Sequence, residues 1–79
     1  MNTREHVVAM ANQIALNFVA RDRAGAAEAT ARHIREFWDP RMRALILEEA
    51  RTNAPALSAE AKAAALLAAG DKAANAAKP

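Results

Sequence analysis

Few side chains in this 79-residue chain are suited to catalysis. A metal site needs ligands that converge at suitable spacing, but the two histidines, His6 and His33, belong to different predicted helices, and the chain has no cysteine. Glu48 and Glu49 could act as an acid and base only inside a cleft, which so small a helical scaffold does not offer. Helix capping explains the single serine, Ser58. We therefore expect no catalytic, cofactor-binding or metal-binding residue in this chain.

Arginines form the main charged feature, and they cluster around the second predicted turn. Guanidinium groups bind phosphates and acidic protein patches. The cluster is interleaved with glutamates, however, so a solvated polar face is an equally good interpretation. The formal net charge of +2, from 11 basic and 9 acidic residues, permits nucleic-acid binding without indicating it. The arginines concerned are Arg32, Arg35, Arg41 and Arg43.

Three amphipathic segments predict the α-helices that must position these side chains. The first opens with Asn2 and Glu5 at the spacing of a capping box. Asp22 is expected to cap the second helix, while Asp39 and Pro40 end that helix and start the third. The apolar faces of the three helices form the predicted core, which comprises Val7, Met10, Ile14, Phe18, Ile34, Phe37, Met42, Leu45 and Ile46.

The last third of the chain is rich in alanine. Ser58 can cap a weak fourth helix that stops at Gly70 and has an almost entirely alanine apolar face. From residue 71 to 79 only Ala, Lys, Asp, Asn and Pro remain, and we expect a frayed, flexible tail. The predicted domains are a helical domain over residues 1–53 and an extension over residues 54–79 that is partly helical and then disordered.

The predicted fold is all-α, a small three-helix bundle that allows a weak fourth helix. Its core must be thin, because most of the 53% hydrophobic fraction is alanine and only 4% of the residues are aromatic. Without disulfides, a partner protein is the remaining source of stability. Trp38 could anchor the core or lie in an interface, whereas Phe37 is assigned to the core. No segment looks like a leader or a membrane span, so we expect a cytoplasmic chain.

Two segments resemble a known family. Residues 10–14 read Met-Ala-Asn-Gln-Ile, and residues 33–43 read His-Ile-Arg-Glu-Phe-Trp-Asp-Pro-Arg-Met-Arg. Both are similar to the delta subunit of the soluble, molybdenum-containing, NAD-dependent formate dehydrogenases of bacteria. The second segment is the more specific because it is long and unusual in composition. The resemblance covers about residues 6–50, and the alanine-rich segment after Pro55 departs from the family.

This resemblance implies a non-catalytic subunit of a cytoplasmic complex. Its larger subunits would carry the bis-molybdopterin-guanine-dinucleotide molybdenum cofactor, iron-sulfur clusters and FMN, none of which this chain would bind. The implied partner is the catalytic alpha subunit, with beta and gamma subunits in the same complex and with neither nucleic acid nor membrane involved. The expected roles are assembly, stability or insertion of the molybdenum cofactor. The predicted partner-binding residues are Asn12, Gln13, His33, Arg35, Trp38, Pro40, Arg41 and Arg43.

Two other functions remain open from the sequence. A small nucleic-acid-binding or regulatory module would use the arginine cluster, and its binding would depend steeply on salt. A dedicated assembly chaperone would bind the same enzyme but would be absent from the mature complex.

Overall fold

A computed structural model describes residues 2–70, which form four α-helices and no strand. These are α1 (Thr3–Arg21), α2 (Ala26–Phe37), α3 (Pro40–Arg51) and α4 (Ala59–Ala68). The all-α prediction is therefore confirmed, including the fourth helix. The predicted tail over residues 71–79 lies outside the described residues.

Three of the predicted helix starts are confirmed by capping hydrogen bonds. The side chain of Asn2 accepts from the backbone N–H of Glu5 at 2.8 Å, and its own amide donates to the Glu5 carboxylate at 3.2 Å. The carboxylate of Asp39 accepts from the third backbone N–H after it at 2.9 Å, directly before Pro40 at the start of α3. The hydroxyl of Ser58 accepts in the same way at 3.2 Å. Each such cap contributes about 1 kcal/mol to helix stability.

The predicted cap of the second helix is wrong. Asp22 is instead the residue that ends α1, and its backbone N–H donates to the carbonyl of Phe18 at 2.8 Å. A turn then separates it from α2, whose N-cap is Gly25 without a side-chain hydrogen bond. The Asp22 carboxylate folds into that turn, where a Cβ on Gly25 would lie 2.8 Å from one of its oxygens. Gly25, and not Asp22, therefore occupies the N-cap position of α2.

The core lies between all four helices and contains most of the predicted residues. Val7, Ile34 and Ile46 are buried. Four others are partly buried and pack against the buried cluster, namely Met10, Ile14, Met42 and Leu45. The core position assigned to Phe37 is wrong, because this side chain is 72% exposed.

Trp38 occupies the core instead of Phe37. Trp38 is only 6% exposed and belongs to the buried cluster. The helix ends at Phe37, and Trp38 has extended backbone angles of φ −90° and ψ 140°. Because the chain leaves helical geometry here, the periodicity of α2 no longer decides where the next side chain lies. The larger ring is buried at the helix end, and Phe37 remains on the flank of α2.

Helix α4 packs mainly against α2 and α3 through the predicted alanine face. Ala61, Ala64 and Ala65 are at most 2% exposed. Side chains this small let helix backbones approach closely and fill the space between them. Gly70 follows the helix with a positive φ of 68°, and its N–H donates to Leu67 O at 3.0 Å, a usual helix ending. The division of the chain at residue 53 stays a prediction.

Candidate functional site

The two predicted partner-binding residues of α1 have different surroundings. Asn12 accepts from the backbone N–H of Ser58 at 2.8 Å and donates to the carbonyl of Ala56 at 2.7 Å. It therefore fastens the loop before α4 to α1. The neighbouring Gln13 is exposed and donates to the side chain of Asn17 on the same helix at 3.4 Å. Asn12 has a role inside the fold, whereas Gln13 lies at the surface.

Two predicted residues of the motif over residues 33–43 are also engaged inside the fold. Trp38 is buried in the core. Arg35 is exposed, but its guanidinium donates to the carbonyl of Leu67 at 3.3 Å. A cation at this place also interacts favourably with the carbonyl end of α4. Arg35 thus joins α2 to α4.

The first turn of α3 carries the other arginines of the motif. Pro40 and Arg41 are exposed, and Arg43 is partly buried. Pro40 and Arg43 line a shallow groove of about 280 Å³ between α3 and α4. Its other lining residues are apolar: Ile34, Ala44, Ile46, Leu47, Ala65, Ala68 and Ala69.

A second groove lies between α1 and α2 and includes His33. It has a volume of about 540 Å³ and is lined by Ile14, Asn17, Phe18, Ala20, Arg21 and His33. The ring of His33 lies against that of Phe37, with centroids 4.9 Å apart and planes tilted by 46°. Phe37 thereby extends the apolar lining beyond the groove. We call these seven residues the α1–α2 surface.

The sequence analysis did not predict Phe37 as a surface residue. Phe37 and Trp38 are adjacent, and one helical face cannot bury both at the end of α2. The signal was Pro40, which prevents α2 from continuing and so forces the chain out of helical geometry near Trp38. That signal indicates a break, but it does not say which ring turns inward.

The paired glutamates Glu48 and Glu49 form ion pairs with Arg4 of α1. The guanidinium nitrogens of Arg4 lie 2.7 Å from a Glu49 oxygen and 3.3 Å from a Glu48 oxygen. The hydrogen bond to Glu49, and then the charge of Glu48, raise the pKa of Arg4. The pair therefore joins α1 to α3, and this arrangement gives it a structural role.

The described part of the chain holds no group of three or more His, Cys, Asp or Glu residues placed to bind a metal ion. None of its helices is long and apolar enough to cross a membrane. Among the shallow grooves of residues 2–70, the two described above are largely apolar and have arginines at their edges. Surfaces of this kind are suited to contact with another protein.

Comparison with known proteins gives a match to a family model. Searches of curated proteins and of solved structures found nothing similar to this chain. A family model described as NADH-dependent formate dehydrogenase delta subunit FdsD matches residues 6–65, which is well over half of the chain and includes α2, α3 and the motif over residues 33–43. The chain therefore belongs to the family of delta subunits of NADH-dependent formate dehydrogenases.

Proposed function

We propose that this chain is a non-catalytic subunit of a cytoplasmic, molybdenum-containing formate dehydrogenase and that it docks on the catalytic alpha subunit. The family match over residues 6–65 is the observation that carries this proposal. The beta and gamma subunits belong to the same complex. The bis-molybdopterin-guanine-dinucleotide cofactor, the iron-sulfur clusters and FMN are held by those larger subunits and not by this chain.

The make-up of the core supports a role that depends on a partner. Most of its buried hydrophobic residues are alanines, and the large side chains among them are few. Alanine removes little apolar area from water, so the hydrophobic contribution to folding is small for a chain of this length. Contact with a larger subunit would bury more apolar area and stabilise the helices by mass action.

Docking is also supported by the surface of the family motif. Several of the predicted partner-binding residues have surface available for a contact, namely Gln13, His33, Arg35, Pro40, Arg41 and Arg43. Trp38 and Asn12 would act indirectly, by holding the core and the loop before α4 in place. The role of the docked subunit is to support assembly, stability or insertion of the molybdenum cofactor.

Purification of the tagged chain from its host tests this proposal. We expect it to bring down the larger subunits together with formate-oxidising activity that reduces NAD. Recovery of the chain as a lone, stable monomer would contradict the proposal. If the chain binds precursors but is absent from the purified active enzyme, it is an assembly chaperone that leaves the mature complex.

Deletion of the chain from its host tests the non-catalytic role. We expect a lower yield of complex or a lower molybdenum content per complex, with unchanged KM for formate in the enzyme that remains. A changed KM would place this chain at the active site and contradict a non-catalytic role.

The arginine cluster gives less support to nucleic-acid binding than to docking. Arg35 is hydrogen-bonded to α4, and Arg43 lines a groove with apolar residues. The surroundings of these two arginines are therefore explained by the fold itself, without a phosphate ligand. Binding of duplex DNA with a steep dependence on salt would favour that alternative.

A further inference from the structure

The α1–α2 surface includes Phe37, an exposed aromatic side chain that is not part of the core. Phe37 is 72% exposed, and its ring contacts His33 at the edge of the groove. Ile14 and Phe18, which line the same groove, are only partly buried. Aromatic anchors beside a partly filled groove are typical of the central residues of protein interfaces.

The charge of this surface indicates what can cover it. Arg21 is the residue with a permanent charge among those that line the groove, and no carboxylate lines it. Within residues 2–70 the guanidinium of Arg21 has no ion-pair partner. An unpaired guanidinium beside apolar side chains matches a partner that presents a carboxylate next to apolar residues.

We infer that the α1–α2 surface binds a segment of the catalytic alpha subunit in which apolar side chains flank an Asp or Glu. The apolar side chains cover Phe37, Phe18 and Ile14, and the carboxylate pairs with Arg21. Of the predicted partner-binding residues, His33 is the one that belongs to this surface. This inference rests on the proposed function, since it names one surface that takes part in that docking.

Co-expression with the larger subunits tests this surface. The catalytic alpha subunit carries the tag, and the amount of this chain retained per tagged subunit is measured after washing. We expect Phe37→Ala to lower the retained amount at least about tenfold, as loss of a central aromatic anchor does. Far-UV circular dichroism of each purified variant verifies that it is folded.

Leu16→Ala is the matched control. Leu16 is 61% exposed, does not line the groove, and lies two residues from both Ile14 and Phe18, so its side chain points away from theirs around α1. We expect its retention to equal that of the unaltered chain. If Phe37→Ala and Leu16→Ala are retained equally, the α1–α2 surface is not the docking surface and the inference fails, although the proposed function stands.

Arg21→Gln tests the carboxylate on the partner. We expect retention to fall severalfold and to lose much of its dependence on salt. Arg32→Gln, which alters an exposed arginine of α2 outside the α1–α2 surface, should change neither. Equal behaviour of the two variants would contradict the proposed charge pairing.

The unaltered chain provides two further tests, one in the complex and one alone. Absence of the unaltered chain from the tagged complex would overturn both the proposed function and this inference. Sedimentation equilibrium of the chain alone tests a second copy as the occupant of the surface. A dimer that Phe37→Ala dissociates would overturn the inference, and a monomer supports it.

Discussion

The α2–α4 interface and the α1–α2 surface differ in the size of their side chains and in how completely they close. Helix α4 packs most closely on α2, and its alanines, such as Ala61 and Ala64, are almost fully buried. Between α1 and α2, bulkier residues leave a groove and the exposed ring of Phe37. Small side chains let two helices close fully, whereas large ones at the flank remain available to another protein.

Trp38 and Phe37 show the same contrast within two adjacent residues. Replacement of Trp38 by Ala should lower the free energy of unfolding by about 3 to 5 kcal/mol, because it removes the largest side chain of the core and leaves a cavity. In a chain this small the loss can prevent folding altogether. Urea denaturation followed by far-UV circular dichroism measures it. Phe37→Ala, the matched variant, should change stability by less than about 0.5 kcal/mol. Similar losses for both would contradict the assignment of the two rings.

Overpacking at the α2–α4 interface should have the next largest effect on the free energy of unfolding. Ala61→Leu adds bulk where α4 meets the other helices, and we expect a loss of about 1 to 3 kcal/mol because the backbones must move apart. Thermal unfolding measures the loss. The matched variant Ala20→Leu adds the same bulk at an exposed position of α1 and should leave stability nearly unchanged. Equal tolerance of both substitutions would show that α4 is only loosely packed.

Removal of the hydrogen bonds between Asn12 and the loop before α4 should have a smaller effect. Asn12→Ala deletes the acceptor for Ser58 N–H and the donor to Ala56 O, and we expect a loss of about 1 to 2 kcal/mol. Hydrogen exchange should become faster in the loop before α4, while the first turn of α1 is unchanged. Gln13→Ala, which removes only a surface amide, is the control. Equal exchange rates in the two variants would mean that Asn12 does not hold the loop.

Much of the fold could be predicted from local sequence signals. Capping by Asn2, Asp39 and Ser58 depends on residues three apart, which the sequence shows directly. Asp22 failed as a cap because the length of the turn after it, and not its residue type, decides where α2 begins. Local signals predict a helix start well when the turn before it is short. They predict it poorly when the turn offers several residues as the N-cap, as Asp22 and Gly25 do before α2.

The surface was harder to predict than the helices. Periodicity could not decide between Phe37 and Trp38, since that choice depends on where the chain leaves helical geometry. Nor could it show that Asn12 is bound to a loop more than forty residues later in the chain. Both facts depend on tertiary contacts between distant segments. The family, by contrast, was indicated by the motif over residues 33–43, and the family match over residues 6–65 confirms it.

Hydrogen exchange of this chain, alone and within the purified complex, tests the central claim most directly. The account predicts added protection on binding in the peptides over residues 14–21 and 33–37, which contain the α1–α2 surface, and little change in the peptide over residues 61–65, which is already buried within the fold. No added protection in the first two peptides, or protection confined to the α3–α4 groove over residues 40–47, would contradict it.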